Sequence, residues 1–287
     1  MQVENHLQRS MKKKQAKSTV DEAYRVLLEH IRDTGPAAVA FSGGTDSSLL
    51  LAAAAEALEG NTLAITIRTP YMVHKEIEEA LRLTEHWGIP HVVIDLEIPP
   101  EIINNPPDRC YLCKSRLFGT MLNTAKKHGY ETIMEGTNRN DLSDYRPGLR
   151  ALHELNIRSP LLETGLDKET VRKLARGKNI PVWNKPASAC LLTRLPHGTP
   201  VTPTLLRMIE NAEGRLLELG FSGARVRVHG KLARIELREG DMNRILRADE
   251  REKVIKELKQ AGFEFVTLDL EGYRMGSFNR KNKGTSS

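Results

Sequence analysis

The stretch Phe41-Ser42-Gly43-Gly44-Thr45-Asp46-Ser47-Ser48 constrains the fold of this chain more than any other. A short apolar run, Ala37 to Ala40, precedes it, and Leu49-Leu50-Leu51-Ala52-Ala53-Ala54-Ala55 follows. The order predicts a strand, a glycine turn and a helix. Adjacent glycines allow positive φ and a close approach of backbone to a ligand. Backbone amides of the turn and of the first helical turn would then converge on an anion. Ser42, Thr45, Ser47 and Ser48 are expected to add hydroxyl donors. A Walker A loop also binds phosphate, but it requires GxxxxGK[ST] with its lysine, and this stretch has none. A Ser/Gly turn capped by Asp46 would be the plain structural reading.

The flanking pattern alternates strands with helices. A helix is expected over Thr19–Asp33, with Thr19 and Glu22 at capping-box spacing and Val20, Ala23, Leu27, Leu28 and Ile31 on one face. Further strands are expected at Thr62–Ile67, His91–Leu96, Thr132–Glu135 and Ser159–Leu162. Helices are expected at His74–Trp87 (Ile77, Ala80, Leu81 and Leu83 inward), Asp108–His128 and Lys168–Lys178. This alternation predicts an α/β fold with a doubly wound parallel sheet. Ligands of such sheets bind beyond the carboxyl ends of the strands, where the glycine turn stands. The polar loop after the fourth strand, Gly136 to Asp141, continuing to Asp144 and Arg146, should lie beside it. Arg68 and Gly136, at the ends of the second and fourth strands, join Ser42, Gly43, Gly44, Asp46, Ser47 and Ser48 as the expected nucleotide-binding set.

Trp183 to Thr199 has little periodicity and reads as a long loop; it carries Lys185, Cys190, Arg194 and His197. Loops of this length in compact domains are often functional. Beyond Thr202 the pattern changes to αββαβ, a smaller α+β unit. The expected division is a basic leader over 1–17, a nucleotide-binding domain over 18–200, a substrate or oligomerisation domain over 201–278 and a tail over 279–287. Within the hairpin Ala224–Val228/Leu232–Leu237, the alternation puts Arg225 and Arg227 on one sheet face, suited either to a phosphate or to partners such as Glu236.

The net charge of +6 favours anionic ligands, nucleotide or RNA, without choosing between them. Lys12, Lys13, Lys14 and Lys17 read as a solvated leader. There is no signal peptide and no apolar run of about 18 residues, so a soluble, cytoplasmic protein with no membrane partner is expected. Three cysteines do not make a disulfide framework. Cys110 and Cys113 form Cys-x-x-Cys at a helix start, where both sulfurs share one face and the thiolate is favoured. With Cys190 they could hold zinc or an iron–sulfur cluster, act as a redox pair, or be unrelated core residues.

Ser-Gly-Gly-x-Asp-Ser resembles the PP-loop of ATP pyrophosphatases, which cleave ATP between the α and β phosphates and adenylate an acceptor. Asp46 would then help to hold Mg²⁺. The chain as a whole resembles the LarE family of ATP-dependent sulfur transferases. The matching segments are 41–47, Asn140–Leu149, Trp183–Ser188, Arg194–Thr199, Arg225–His229, Ala233–Leu237 and Val266–Leu270. The resemblance implies adenylation of pyridinium-3,5-biscarboxylic acid mononucleotide, followed by displacement of AMP by sulfur to give a thiocarboxylate in nickel-pincer nucleotide biosynthesis. It implies substrate-binding roles for Arg194, Arg225, Arg227, Asp144 and Arg146, a small-molecule nucleotide partner, a sulfide source and a ring-shaped homo-oligomer; nucleic acid is not the expected partner. One family branch surrenders the sulfur of a cysteine in an Ala-Ser-Cys segment. Here that segment reads Ala187-Ser188-Ala189-Cys190, displaced by one residue, and Cys110 and Cys113 are also present. The departure favours the branch with a [4Fe–4S] cluster held by Cys110, Cys113 and Cys190, with Asp46 as the fourth catalytic residue. A tRNA-thiolating enzyme, a sacrificial Cys190 and a metal-binding regulatory module are the alternatives.

Overall fold

The structure, a computed structural model, describes residues 20–143, 147–186 and 189–273. The expected cap at Thr19, the basic leader, the tail from 279, and Asp144 and Arg146 lie outside these residues. Two compact units are present.

Among the described residues the first unit comprises 20–68, 74–96 and 110–186. A helix over residues 20–32 (α1) leads into β1 (Ala37–Ala40), the glycine turn and α2 (Thr45–Ala57). Strand β2 (Thr62–Arg68), helix α3 (His74–Trp87), strand β3 (His91–Asp95), helix α4 (Arg109–Lys127) and strand β4 (Thr132–Met134) follow. The sheet is parallel with order β3-β2-β1-β4. The first six residues of β2 are buried, as a strand covered by helices on both faces requires. Leu27 and Ile31 of α1, Leu49, Leu50 and Ala54 of α2, and Val171 and Leu174 of α7 (Lys168–Gly177) share one core. Strands β2 and β3 grow from one side of β1 and β4 lies on the other. The order therefore reverses between β1 and β4, and at such a switch point the carboxyl ends of the strands leave a crevice.

Three expectations are corrected. Leu81 is 38% exposed, because the buried stripe of α3 runs through Ile77, Ala80, Leu83 and Thr84 and leaves position 81 on its flank. Ser159–Leu162 is not a strand. Only Arg158 bridges to Met134, and Pro160 then opens a helical turn, α6 (Pro160–Glu163), with Ser159 as its N-cap. Proline has no N–H for a ladder and its fixed φ suits the first helical position. Helix α5 (Pro147–Glu154) was not anticipated.

Among the described residues the second unit comprises 69–73, 97–109 and 189–273. Helix α8 (Pro203–Glu218) is capped by the Thr202 hydroxyl, which accepts from the Leu205 N–H at 3.2 Å. Strands β5 (Arg225–His229) and β6 (Leu232–Glu236) are antiparallel, and Gly230 at φ +59° supplies the left-handed residue of the turn between them. Helices α9 (Glu239–Ile245), also unanticipated, and α10 (Ala248–Gln260) cross over to β7 (Phe265–Leu268), which runs parallel to β6.

A hydrogen-bond chain ties the sheet to the glycine turn. Nδ1 of His91 lies 2.8 Å from Thr84 Oγ1, its Nε2 lies 2.8 Å from Thr66 Oγ1, and Thr66 donates to the Phe41 carbonyl at 2.6 Å. With Thr66 donating to Phe41, Nε2 is the ring donor. Burial pushes the His91 pKa down to about 4. The folded ring stays neutral where the unfolded ring, near 6.5, binds a proton. Stability is therefore complete above pH 6.5 and falls as pH drops from 6.5 toward 4, by up to about 3 kcal/mol from this group. Urea unfolding across that window should show a smaller loss in His91→Gln than in the wild type; parallel pH profiles would refute the assignment.

Candidate active site at the switch point

The amide cradle is built at the start of α2. Gly43 takes φ +67°, a conformation that L side chains rarely adopt, and an added Cβ would stand 3.0 Å from the Ala80 Cβ of α3. Gly44 is the N-cap residue of α2 and offers no side-chain cap. Two of the hydroxyls expected to face an anion, those of Thr45 and Ser47, donate to backbone carbonyls. Ser47 Oγ donates to the Gly44 carbonyl (3.2 Å) and lies 3.0 Å from Ser42 Oγ; Thr45 donates to the Val182 carbonyl (2.7 Å). Ser48 Oγ is buried with no hydrogen-bond partner. What the helix start presents is therefore its uncapped backbone N–H groups, which carry the positive end of the helix dipole.

Asp46, in the first turn of α2, does not cap the helix. Its Oδ1 accepts from Asn138 Nδ2 at 2.9 Å. Burial raises its pKa and Asp141 adds to this, while Lys168 and the Asn138 hydrogen bond oppose. Its carboxylate would gain from a divalent cation in place of lost water, so the residue fits Mg²⁺. Asn138 is held in turn: its N–H donates to Asp141 Oδ2 and its Oδ1 accepts from the Asn140 N–H, both at 3.0 Å. Gly136 makes this approach possible. A Cβ there would lie 3.0 Å from the Ser47 nitrogen and 3.2 Å from the Asp46 carbonyl carbon. Glu135 braces the same corner, accepting from the Thr137 N–H and hydroxyl and from Ser159 Oγ. Asn138 belongs to the polar loop expected beside the glycine turn; Glu135, the last residue of the expected fourth strand, was not singled out.

Arg68 lies away from these groups in bonding. At the ends of β2 and β3 its guanidinium grips Asp95, and both residues are exposed.

Cys110 and Cys113 stand on the first turn of α4, the first exposed and the second half-buried, and no cysteine is in a disulfide. Cys190, half-buried, belongs to the second unit. Among the described residues no three His, Cys, Asp or Glu side chains gather as a metal site.

In the second unit, Arg194 is 1% exposed and forks onto Glu213, Nε to Oε1 at 2.9 Å and Nη2 to Oε2 at 2.8 Å. Its Nη1 donates to the carbonyls of Ala189 (2.8 Å) and Cys190 (3.2 Å) and to Thr193 Oγ1 (2.8 Å). A side chain so engaged holds the Cys190 turn to Glu213. Arg225 and Arg227 share a sheet face as expected. Arg227 is buried, donating to Glu236 Oε2 at 2.8 Å and to the Thr193 carbonyl. Arg225 lies 4.0 Å from Glu213 and stacks over Tyr273. Burial lowers the Arg225 pKa, and the nearby Arg194 and Arg227 lower it further. Asn105, which the sequence did not single out, is fully buried at φ +47° and donates to the Leu195 and Pro196 carbonyls.

Residues 19–120, which contain the glycine turn, match the family model described as Asparagine synthase. The chain is 36% identical over 256 residues to the pyridinium-3,5-bisthiocarboxylic acid mononucleotide synthase of Lactiplantibacillus plantarum, covering 88% of this chain and 92% of that one. The chain belongs to the LarE family. Uncharacterized proteins of Synechocystis sp. (38% identical, 88% of this chain and 97% of theirs) and of Methanocaldococcus jannaschii (36%, 82% and 90%) are similar over comparable spans. LarE membership makes the chain an enzyme of the sulfur-transferring PP-loop class. No helix among the described residues is long and apolar enough to cross a membrane.

The LarE glycine corner yields a paired test. Gly136→Ala forces a methyl group against backbone that cannot yield and should cost about 1–3 kcal/mol. Gly119→Ala, in the middle of α4 with nothing within 4 Å of the new Cβ, should instead stabilise by about 0.5–1 kcal/mol. Thermal melts of the two variants should shift in opposite directions.

Proposed function

We propose that the enzyme uses ATP to adenylate one carboxylate of pyridinium-3,5-biscarboxylic acid mononucleotide and replaces the AMP with sulfur, giving a thiocarboxylate. The observation that carries this reading is the uncapped start of α2, which bears the half-buried carboxylate of Asp46 in its first turn beside Asn138. Amides take the phosphates, and Asp46 would hold Mg²⁺, which when bound supplies charge neutralisation on them. The acceptor carboxylate attacks the α-phosphorus and pyrophosphate leaves. A hydrosulfide then attacks the carbonyl carbon and AMP leaves, releasing one proton. AMP is the better leaving group by far, which is why a carboxylate oxygen must first be adenylated.

Support for an anionic acceptor comes from the second unit. Arg194, Arg225 and Arg227 stand together with Glu213 and Glu236; burial first, and then repulsion from Arg194 and Arg227, lowers the Arg225 pKa, and a phosphate would offset both. Arg225 is assigned to the phosphate of the acceptor. Arg227 backs it on the same face, and Arg194 fixes the turn beneath. ATP use and the absence of a spanning helix among the described residues fit a cytoplasmic setting.

The proposed sulfur carrier is a [4Fe–4S] cluster ligated by Cys110, Cys113 and Cys190, reloaded from sulfide. Two thiols three residues apart on one helix face, accessible and outside any disulfide, fit such a group; Cys190 is the third cysteine of the chain. When bound, the cluster would supply an iron to carry hydrosulfide.

Incubation with ATP, Mg²⁺ and the dicarboxylate mononucleotide should release AMP and pyrophosphate, and Asp46→Asn should lose at least 100-fold while its melting temperature holds. ADP and phosphate as main products would overturn the reading, and stimulation by tRNA alone would replace the acceptor. Anaerobic reconstitution should give iron, sulfide and visible absorbance that Cys110→Ala abolishes. After turnover Cys190 should keep its mass. Its conversion to dehydroalanine, with Cys110→Ala and Cys113→Ala fully active, would rule out the cluster.

A further inference from the structure

The glycine turn contains no lysine, yet one is held against it from far along the chain. Lys185 Nζ lies 3.5 Å from the Gly43 carbonyl oxygen and 2.9 Å from Glu79 Oε2, with Glu76 Oε1 at 3.8 Å. The placement is built. Thr45 at the head of α2 donates to the Val182 carbonyl, which pins the segment three residues before Lys185. Gly43 sits against Ala80 of α3; Glu79 directly precedes Ala80, and Glu76 lies one helical turn back from it. Lys185 is 18% exposed and the two glutamates about a third, so the cluster touches solvent and can rearrange.

Two carboxylates beside an anion cradle repel a triphosphate, and Lys185 masks them. Its ammonium is a point charge on a flexible stem, able to leave Glu79 for a stronger anion close by. Loss of pyrophosphate concentrates negative charge on the departing β and γ phosphates, where a positioned cation acts most. We propose that Lys185 contacts the β,γ-phosphates of ATP and stabilises pyrophosphate as it leaves, and that Glu79 parks it while the site is empty. This rests on the adenylation reading and adds a specific group to it. The pyrophosphate keeps its electrons from the broken Pα–O bond, and Lys185 transfers no proton.

Calorimetric titration of the full chain with Mg²⁺-pyrophosphate, and separately with AMP, tests the assignment without turnover. Lys185→Met should weaken pyrophosphate binding by about 10- to 100-fold, the range of a charge-assisted contact, and leave AMP binding within about twofold. Lys185→Arg should retain most of the affinity. Glu79→Gln should tighten pyrophosphate binding several-fold, because it frees the lysine; a merely structural ion pair would not do this. In ATP–pyrophosphate exchange with the acceptor present, Lys185→Met should lower kcat more than it raises KM. Equal loss of AMP and pyrophosphate binding, or no loss, overturns the proposal. If Lys185→Met does not fold, Glu79→Gln decides: unchanged or weaker pyrophosphate binding overturns it. A wild type that forms AMP and pyrophosphate while the Lys185 variants behave normally sinks only this inference. A wild type that binds no pyrophosphate and releases ADP sinks the adenylation reading with it.

Discussion

Backbone meets backbone where Gly136 passes the first turn of α2, and the candidate site depends on that contact. Strands β1 and β4 are paired in parallel, so the turns that leave their carboxyl ends emerge side by side. A hydrogen atom fits in the space between Gly136 and the Ser47 nitrogen; a methyl group does not. The approach carries Asn138 to Asp46 and Asp141 to Asn138. It also leaves the α2 amides uncapped by any side chain. The same crowding that excludes a Cβ thus sets an amide side chain against the half-buried carboxylate that α2 carries in its electropositive first turn.

Both units hold charge that protein partners compensate only in part. In the first, burial and Asp141 disfavour the Asp46 carboxylate. In the second, burial and two neighbouring guanidiniums disfavour the Arg225 cation. Each is a group of the sign that a particular ligand would satisfy: a divalent cation for the one, a phosphate for the other. Such preorganised groups lose little on binding, because the protein already carries the cost of their desolvation. Glu236 shows the contrast. Fully buried, it takes both Arg227 and Arg234 and is spent on the fold.

The parallel sheet was legible because its signal is local. Ala37–Ala40, Thr62–Arg68 and the glycine turn declare themselves by apolar runs and turn chemistry. Ser159–Leu162 misled because an apolar pair after a serine suits a strand or a helical turn, and Pro160 should have decided it. Helices α5 and α9 were missed for the same reason as most short helices: eight and seven residues carry too little periodicity. In the site, the glycine turn, its aspartate and the polar loop beside it were readable, but which side chains pair was not. Asn138 is one asparagine among several until the β1–β4 pairing sets it 2.9 Å from Asp46. The hydroxyls of the turn were read by type, and type could not show that Thr45 and Ser47 are consumed by carbonyls. The resemblance named Arg194 as a substrate residue and was silent on its protein partners.

Its actual surroundings say more about the Cys190 turn than the cysteine itself does. One guanidinium collects the carbonyls of Ala189 and Cys190 and the Thr193 hydroxyl on one nitrogen, and its remaining edge is clamped by both oxygens of Glu213. Glu213 is in turn anchored by the Val226 N–H of β5. A turn fastened by two carbonyls to a planar, buried cation cannot drift far, since any motion breaks charge-assisted bonds in a place where water cannot replace them. The thiol of Cys190 therefore inherits its position from a sheet and a helix although it lies in an irregular segment. That rigidity is what the proposed ligation by Cys190 would need, and it comes from charge-assisted bonds rather than from regular secondary structure.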